Sequence, residues 1–259
     1  MRKGIKIGIT IEARMGSSRL PGKTLKPLHG RPMLARMIER LKRVKLADII
    51  VLATTDQPQD APVADLAEEM GIGHYQGSSE DVLDRVLKAA KKYDIGLIVE
   101  TCGDCPLIDP GILDMQIQAF LDNDVDYVGC HLVKTFAQGL DAKLFTTRTL
   151  EEVANITHDP PDRENVSLYI YEHPQKYRLL NIEAQGRCRR PDLRLVVDHQ
   201  EDFNLIERIY KELYDQNPSF GYDEILDLFE RRPDLARMNM NVVNIAAAGR
   251  SGHGTSKKI

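Results

Sequence analysis

The chain has 259 residues, an ordinary globular balance of 42% hydrophobic and 29% charged residues, and a formal net charge of −4. That length can bury a full core, as one large α/β domain or as a domain carrying a sizeable insertion. The acidic balance argues against a general nucleic-acid binder, whose charge is normally strongly positive.

Basic residues nevertheless crowd the N-terminal part of the chain, so the local field there is positive. Cys102, Cys105, Cys130 and Cys188 are too few for a disulfide framework in a chain this long and suit a reducing cytoplasm. The first apolar stretch is too short for a signal peptide, and no window approaches a membrane span. The expectation is a soluble cytoplasmic protein with no membrane partner.

Apolar β-type runs occur at Ile5–Ile11, Ile49–Thr54, Ile95–Glu100 and Asp126–Gly129. Between them, helical spacing is marked by Met33, Leu34, Met37, Ile38 and Leu41, then by Val63, Leu66, Ala67 and Met70. Val82, Leu83, Val86, Leu87 and Ala90 mark a third helix, and Ile112, Leu113, Met115, Ile117 and Phe120 a fourth. This alternation predicts βαβ units and a mainly parallel sheet with helices on both faces. Such sheets bind ligands beyond the carboxyl ends of their strands.

The rhythm fades after about residue 130, and residues 131–190 read as an insertion on a core spanning 1–248. A strand at Leu193–Val197 then leads into a helix with Phe203, Ile206, Ile209 and Leu213 on one face, followed by a helix at Tyr222–Arg231. The tail, residues 249–259, reads as disordered.

The strongest chemical signal follows the first strand. Arg14, Arg19 and Lys23 lie among Ala13, Gly16, Ser17, Ser18 and Gly22. Small residues let backbone N–H groups approach phosphate oxygens, and the cations neutralise a polyphosphate. Arginine suits bidentate phosphate contact, whereas lysine acts as a point charge. The segment is not a P-loop, because Gly16 and Gly22 are six positions apart where that motif has five.

Ala13-Arg14, Ser17-Ser18-Arg19-Leu20-Pro21-Gly22-Lys23 and Leu28-His29-Gly30-Arg31-Pro32-Met33 together resemble the opening of the sugar-acid cytidylyltransferases. These include enzymes that activate 3-deoxy-manno-octulosonate and the acylneuraminates, and the nearest branch is that of spore-coat polysaccharide biosynthesis proteins. The resemblance implies a Rossmann-like nucleotidyltransferase fold of the GT-A type and a homodimer built through the insertion. It also implies CTP as donor and an acidic sugar as acceptor.

Triphosphate chemistry usually needs Mg2+, which takes one or two protein carboxylates plus phosphate oxygens. Asp104, in Cys102-Gly103-Asp104-Cys105-Pro106, and Asp198, after Leu193–Val197, both stand at expected strand ends. The family resemblance carries Gly-Asp-x-Pro and Val-Asp-x-x-x-Asp-Phe segments that hold the metal at these positions. Cys102 and Cys105 have zinc-like spacing but no second pair, and Asp124-x-Asp126 reads as a helix-to-strand turn.

Gly77–Arg85 reads as a helix start with Ser79 as N-cap. The resemblance places this stretch beside the nucleobase, making Ser79 and Asp81 candidate base contacts. Arg85 either reaches the nucleotide or pairs with Asp81 at i,i+4 spacing.

The acceptor is expected from the insertion. Gln138-Gly139-Leu140-Asp141-Ala142-Lys143 resembles the family's Gly-x-Asp-x-Glu, with Lys143 in place of Glu. Arg163-Glu164-Asn165-Val166-Ser167 resembles Arg-Glu-His-Val-Thr, with Asn165 and Ser167 in place of His and Thr, at what reads as a helix N-terminus. A cation replacing an anion points to a more anionic acceptor or a differently placed carboxylate.

The reaction expected is in-line attack of the acceptor hydroxyl on the α-phosphate, driven by positioning and charge neutralisation. No general base stands out, and His199 is expected to face away from Asp198. Two other readings fit the same residues: a glycosyltransferase using a nucleotide-sugar, and a catalytically silent nucleotide-binding protein.

Overall fold

Residues 4–140 and 142–242 are described by a computed structural model. The first strand, β1 (Ile7–Glu12), sends Ile7, Ile9 and Ile11 to one face and Gly8 and Thr10 to the other, both buried. A strand buried on both faces belongs in the middle of a parallel sheet, and β1 occupies that place. After it come a one-turn 3-10 helix at Lys23–Leu25 and the small hairpin of β2 (Pro27–Leu28) and β3 (Arg31–Pro32). Helix α1 (Met33–Leu41) and strand β4 (Ile49–Thr55) follow.

The next elements are α2 (Ala61–Glu69), β5 (Gly73–Gly77), α3 (Val82–Lys92), β6 (Leu97–Cys102) and α4 (Pro110–Asp122). Then come β7 (Tyr127–Gly129), β8 (Lys143–Thr146) and α5 (Thr147–Ile156). Two short helices, α6 (Pro160–Glu164) and α7 (Leu168–Glu172), precede β9 (Leu179–Asn181), and α8 (Gln200–Leu213), α9 (Tyr222–Arg231) and a 3-10 helix at Leu235–Arg237 follow.

Among the described residues seven strands form one sheet in the order β5-β4-β1-β6-β8-β7-β9. Strands β4 and β6 both pair parallel with β1, from opposite sides. Only β8 runs against its neighbours, antiparallel to β6 and to β7. The chain steps from β1 outward to β4 and β5 and returns to β6 on the other side of β1. The loops after β1 and β6 therefore diverge at a topological switch point, where open α/β sheets bind ligands.

One face of the sheet packs Ile9, Leu52 and Val99 against Leu34, Ile38 of α1, Val63 of α2 and Leu113 of α4. The other packs Val51, Ala53 and Ile98 against Leu83 and Val86 of α3 and Leu150 of α5. A third cluster joins Ile206 and Ile209 of α8 and Ile225 of α9 to Leu20, Leu28, Leu107 and Leu195. That cluster seats the loop after β1 on the C-terminal helices. Each buried leucine or isoleucine there contributes about 1.5–3 kcal/mol relative to exposure.

Several expectations are corrected. The segment 131–190 is not wholly an appendage, since β8 and β9 are strands of the main sheet and α5 packs on its face. Leu193–Val197 forms no strand: it makes a single bridge, Arg194 to Gln138, and Leu193, Leu195 and Val197 fill the third cluster while Val196 joins the first. The N-cap of α3 is Asp81 rather than Ser79, its carboxylate accepting from the Asp84 N–H at 2.9 Å. Arg163-Glu164-Asn165 closes α6 at Asn165 and does not open a helix. Asp141 and the tail at 249–259 lie outside the described residues.

Candidate functional site

The loop after β1 is fixed by polar contacts within it and by Asp60 from the segment after β4. The Met15 N–H donates to Asp60 at 2.6 Å, the Thr24 hydroxyl to the Arg14 carbonyl at 2.7 Å, and the Ser17 hydroxyl accepts from the Leu20 N–H at 3.3 Å. Gly22 turns the chain into the Lys23–Leu25 helix at φ 70°, a left-handed conformation that a Cβ strains. On the β6 side, Gly103 lies so close to the first loop that a Cβ would stand 2.8 Å from that of Ala13. The two loops thus close on each other with no side chain between them.

Their meeting point holds the charged groups. Lys23 Nζ donates to Asp104 Oδ2 at 3.3 Å, to Asp198 Oδ1 at 3.1 Å and to the Val197 carbonyl at 2.6 Å. Arg19 reaches the same Asp198 oxygen at 3.0 Å. The second Asp198 oxygen accepts from Arg194 at 2.9 Å. Arg194 is gripped in turn by the fully buried Asp202, which also accepts from the backbone N–H groups of Asp198 and His199. His199 is the N-cap of α8, turned to Asp202.

Burial would raise the Asp198 and Asp202 carboxyls, but Lys23, Arg194 and Arg19 hold Asp198, and Arg194 with the Asp198 and His199 N–H groups and the Asn239 amide holds Asp202, below the usual carboxylate range. Burial likewise works against the Lys23 charge, and Asp104 and Asp198 outweigh it, raising Lys23 above an ordinary lysine.

These groups wall an open cavity of about 380 Å³. Ala13, Arg14, Gly16, Ser17, Ser18, Arg19 and Lys23 form one side, and Gly103, Asp104 and Asp198 the other. Val82 and Arg85 of α3 and Glu164 and Asn165 at the end of α6 complete it. A second cavity of about 460 Å³ shares Arg14, Val82 and Glu164 and is lined also by Ser79, Asp81, His158 and Arg163. Arg14 donates to the Ser79 carbonyl at 3.4 Å, on the border between the two.

Most of the residues singled out in the sequence are therefore neighbours. Ser79, Asp81 and Arg163 face the second cavity, where Arg163 pairs with Asp81. Arg85 donates to the Ser78 carbonyl, not to the Asp81 carboxylate. Gln138 and Lys143 line neither cavity. Gln138 accepts from Arg194 at 3.1 Å, and Lys143 donates to Glu100 on β6 at 2.8 Å. Burial opposes the Lys143 charge, but Glu100 beside it holds the ammonium well above the ordinary lysine value.

Sequence reasoning missed Glu12, the last residue of β1, which lines the first cavity together with Cys102. Its Oε1 is buried with no hydrogen-bond partner among the described residues. Burial first, and Glu100 second, push this carboxyl from 4.5 up to about 8. The signal available was a carboxylate ending an otherwise apolar central strand.

Among the described residues the cysteines form no disulfide, Cys102 lines the cavity, Cys105 is buried, and no cluster of three or more metal-type ligands occurs. Asp124 and Asp126 both pair with Arg178 and belong to a turn.

A mainly parallel sheet with a cationic, small-residue loop and two carboxylates at its switch point defines an α/β nucleotidyltransferase-type protein. The comparisons narrow the class. A cytidylyltransferase family profile matches residues 8–229, and the chain belongs to that family. It is 33% identical to the spore coat polysaccharide biosynthesis protein SpsF of Bacillus subtilis over 231 residues, covering 87% of this chain and 95% of that one. It is 34% identical to a 3-deoxy-manno-octulosonate cytidylyltransferase of Chloroherpeton thalassium over 194 residues, 72% of this chain and 71% of the relative. The solved structure of a cytidylyltransferase from Leptospira borgpetersenii superposes with a TM-score of 0.85 at 33% identity, over 90% of this chain and 97% of its own.

Proposed function

We propose that the protein transfers the nucleoside monophosphate of CTP to the hydroxyl of an acidic sugar, releasing pyrophosphate, with Mg2+ as cofactor. The observation that carries this reading is the Lys23 ammonium holding Asp104 and Asp198 together at the mouth of the basic loop. It joins a site for phosphate charge to a pair of hard oxygen ligands.

Arg14, Arg19 and Lys23 neutralise the β- and γ-phosphates, while the backbone N–H groups of Gly16 and Ser18 approach their oxygens past small side chains, the Ser17 N–H being held by the Met15 carbonyl at 2.8 Å. The acceptor oxygen bonds to the α-phosphorus as the bridge to the β-phosphate breaks. Pyrophosphate leaves with the bond electrons, and the hydroxyl proton passes to solvent. The donor chemistry at Asp104 and Asp198 fits Mg2+, which takes one or two carboxylates alongside phosphate oxygens. When bound, the ion would polarise the phosphate and lower the hydroxyl's pKa.

Ser79, Asp81 and Arg85 are read as the nucleobase side, and Arg163, Glu164 and Asn165 as the acceptor side. Gln138 and Lys143 act one layer behind it in this reading, through Arg194 and Glu100. The sugar-acid acceptor is supported by the similarity to the 3-deoxy-manno-octulosonate enzyme, and polysaccharide biosynthesis by the similarity to the spore coat protein. A homodimer and a cytoplasmic location complete the proposal. Among the described residues no helix is long and apolar enough to cross a membrane.

The test is a pyrophosphate-release screen of the four ribonucleoside triphosphates against a panel of sugar acids with Mg2+. The proposal expects release with CTP only, and only when a sugar acid is present. Sugar transfer from a nucleotide-sugar, or no turnover with any pair, would displace it.

A further inference from the structure

Lys23 stands where three acceptors converge: Asp104 Oδ2 at 3.3 Å, Asp198 Oδ1 at 3.1 Å and the Val197 carbonyl at 2.6 Å. A lysine ammonium has three N–H donors, so its whole capacity is committed here. The side chain is 13% exposed and lines the same cavity as Ser17, Ser18 and Arg19. The backbone beneath it is pinned, the Leu25 N–H donating to the Gly22 carbonyl at 3.1 Å and the Thr24 hydroxyl to the Arg14 carbonyl at 2.7 Å.

The two carboxylates are occupied as well. Asp198 accepts from Lys23 and Arg19 on Oδ1 and from Arg194 on Oδ2. Asp104 accepts from Lys23 on Oδ2, and its Oδ1 takes the Cys105 thiol at 3.5 Å. Among the described residues these ion pairs link Asp104, Asp198 and Asp202 to Lys23, Arg19 and Arg194, three anions to three cations. Lys23 is the cation among them that touches both Asp104 and Asp198. Mg2+ takes oxygen ligands at about 2.0–2.1 Å and favours anionic ones. Against these carboxylates it meets an ammonium already in place and a field whose negative charge is already balanced.

We propose that Lys23 is a built-in competitor of the divalent ion, its ammonium holding the Asp104 and Asp198 oxygens in the nucleotide-free protein until a triphosphate draws it away. The inference rests on the reading of both aspartates as Mg2+ ligands. The four-carbon stem of lysine is flexible, so the ammonium can cross the cavity to phosphate oxygens while its backbone stays fixed. The triphosphate brings the negative charge that the balanced network lacks, and the departing ammonium frees one oxygen on each aspartate. Ion and nucleotide therefore bind cooperatively, each raising the affinity of the other by the same factor, typically about 5–150-fold for coupled sites.

The experiment titrates Mn2+, which also favours oxygen ligands, into the nucleotide-free protein and reads the free ion by electron paramagnetic resonance. The unaltered protein is compared with Lys23→Met, which keeps the apolar stem and removes the charge, and with Lys23→Met/Asp104→Asn. Lys23→Met is expected to bind one Mn2+ about tenfold or more tightly than the unaltered protein, and Asp104→Asn to abolish that gain. Equal or weaker binding in Lys23→Met overturns the proposal, as does a gain that survives Asp104→Asn. The underlying reading fails separately. If Lys23→Met leaves Mn2+ affinity unchanged while Asp104→Asn raises the Mg2+ requirement for turnover, only the competition by Lys23 is refuted; if neither effect occurs, the metal site falls with it. Should Lys23→Met fail to fold, crystals of the unaltered protein decide, soaked in Mn2+ alone and in Mn2+ with CTP. Anomalous density between Asp104 and Asp198 is expected in the second soak only, and density in the first, or in neither, overturns the proposal.

Discussion

The carboxylates of Asp104 and Asp198, one following β6 and the other preceding α8, accept from the same Lys23 ammonium at 3.3 and 3.1 Å. Neither element determines this proximity alone. It arises because β1 and β6 are adjacent at the switch point, while the third apolar cluster draws the Asp198 segment over the loop after β1.

Replacing Lys23 with alanine removes the point charge shared by the two carboxylates, leaving Asp104 without its cation while Asp198 keeps Arg19 and Arg194. Pyrophosphate release is expected to fall about 10²–10³-fold, the scale set by deleting one preorganised electrostatic donor. Steady-state kinetics would read the loss mainly in kcat. An unchanged kcat would remove Lys23 from the chemistry.

Asp202 is expected to act through Asp198, not on substrate. It is fully buried, paired with Arg194, and accepts from the Asp198 backbone N–H and the Asn239 side-chain amide. Cutting a buried charge pair on one side leaves the other uncompensated, so Asp202→Ala should destabilise the fold by about 3–5 kcal/mol. Urea denaturation measures this directly. A loss below about 1 kcal/mol would mean that Arg194 finds equivalent partners.

Asp104→Asn should keep the fold, because the side chain is partly exposed and its hydrogen bonds are to Lys23 and the neighbouring Cys105. The Mg2+ concentration needed for half-maximal turnover is expected to rise about tenfold or more, from loss of one anionic oxygen ligand. A metal titration unchanged from the parent protein would place the ion elsewhere.

Glu12 gives a pH signature. Its folded-state pKa, about 8, lies above the ordinary 4.5, so between these values the folded protein keeps a proton that the unfolded chain has released. Stability from this group is fully present below about pH 4.5 and is lost as pH rises toward 8. Its slope is at most about 1.4 kcal/mol per pH unit. With metal chelated, Glu12→Gln should flatten that decline in denaturation curves taken across the window. An identical decline in the variant would assign it to another group.

The buried strands and long amphipathic helices were legible because their apolar spacing is itself the packing that holds them, as Ile7, Ile9 and Ile11 show. Strand β5 was not, since Gly73-His74-Tyr75-Gln76-Gly77 is a half-exposed edge with no apolar alternation. Leu193–Val197 misled in the opposite sense: burial in a side-chain cluster leaves the same apolar run as burial in a sheet. The phosphate-type loop could be read locally because its small and cationic residues are contiguous. The spending of Lys143 on Glu100 could not, because it depends on β8 running antiparallel beside β6.

The most direct measurement is a crystal structure of the protein soaked with CTP and Mg2+. The account predicts the triphosphate against Ser17, Ser18, Arg19 and Lys23, with the cation between it and the carboxylates of Asp104 and Asp198. Triphosphate density away from that loop, or a cation touching neither aspartate, would contradict it.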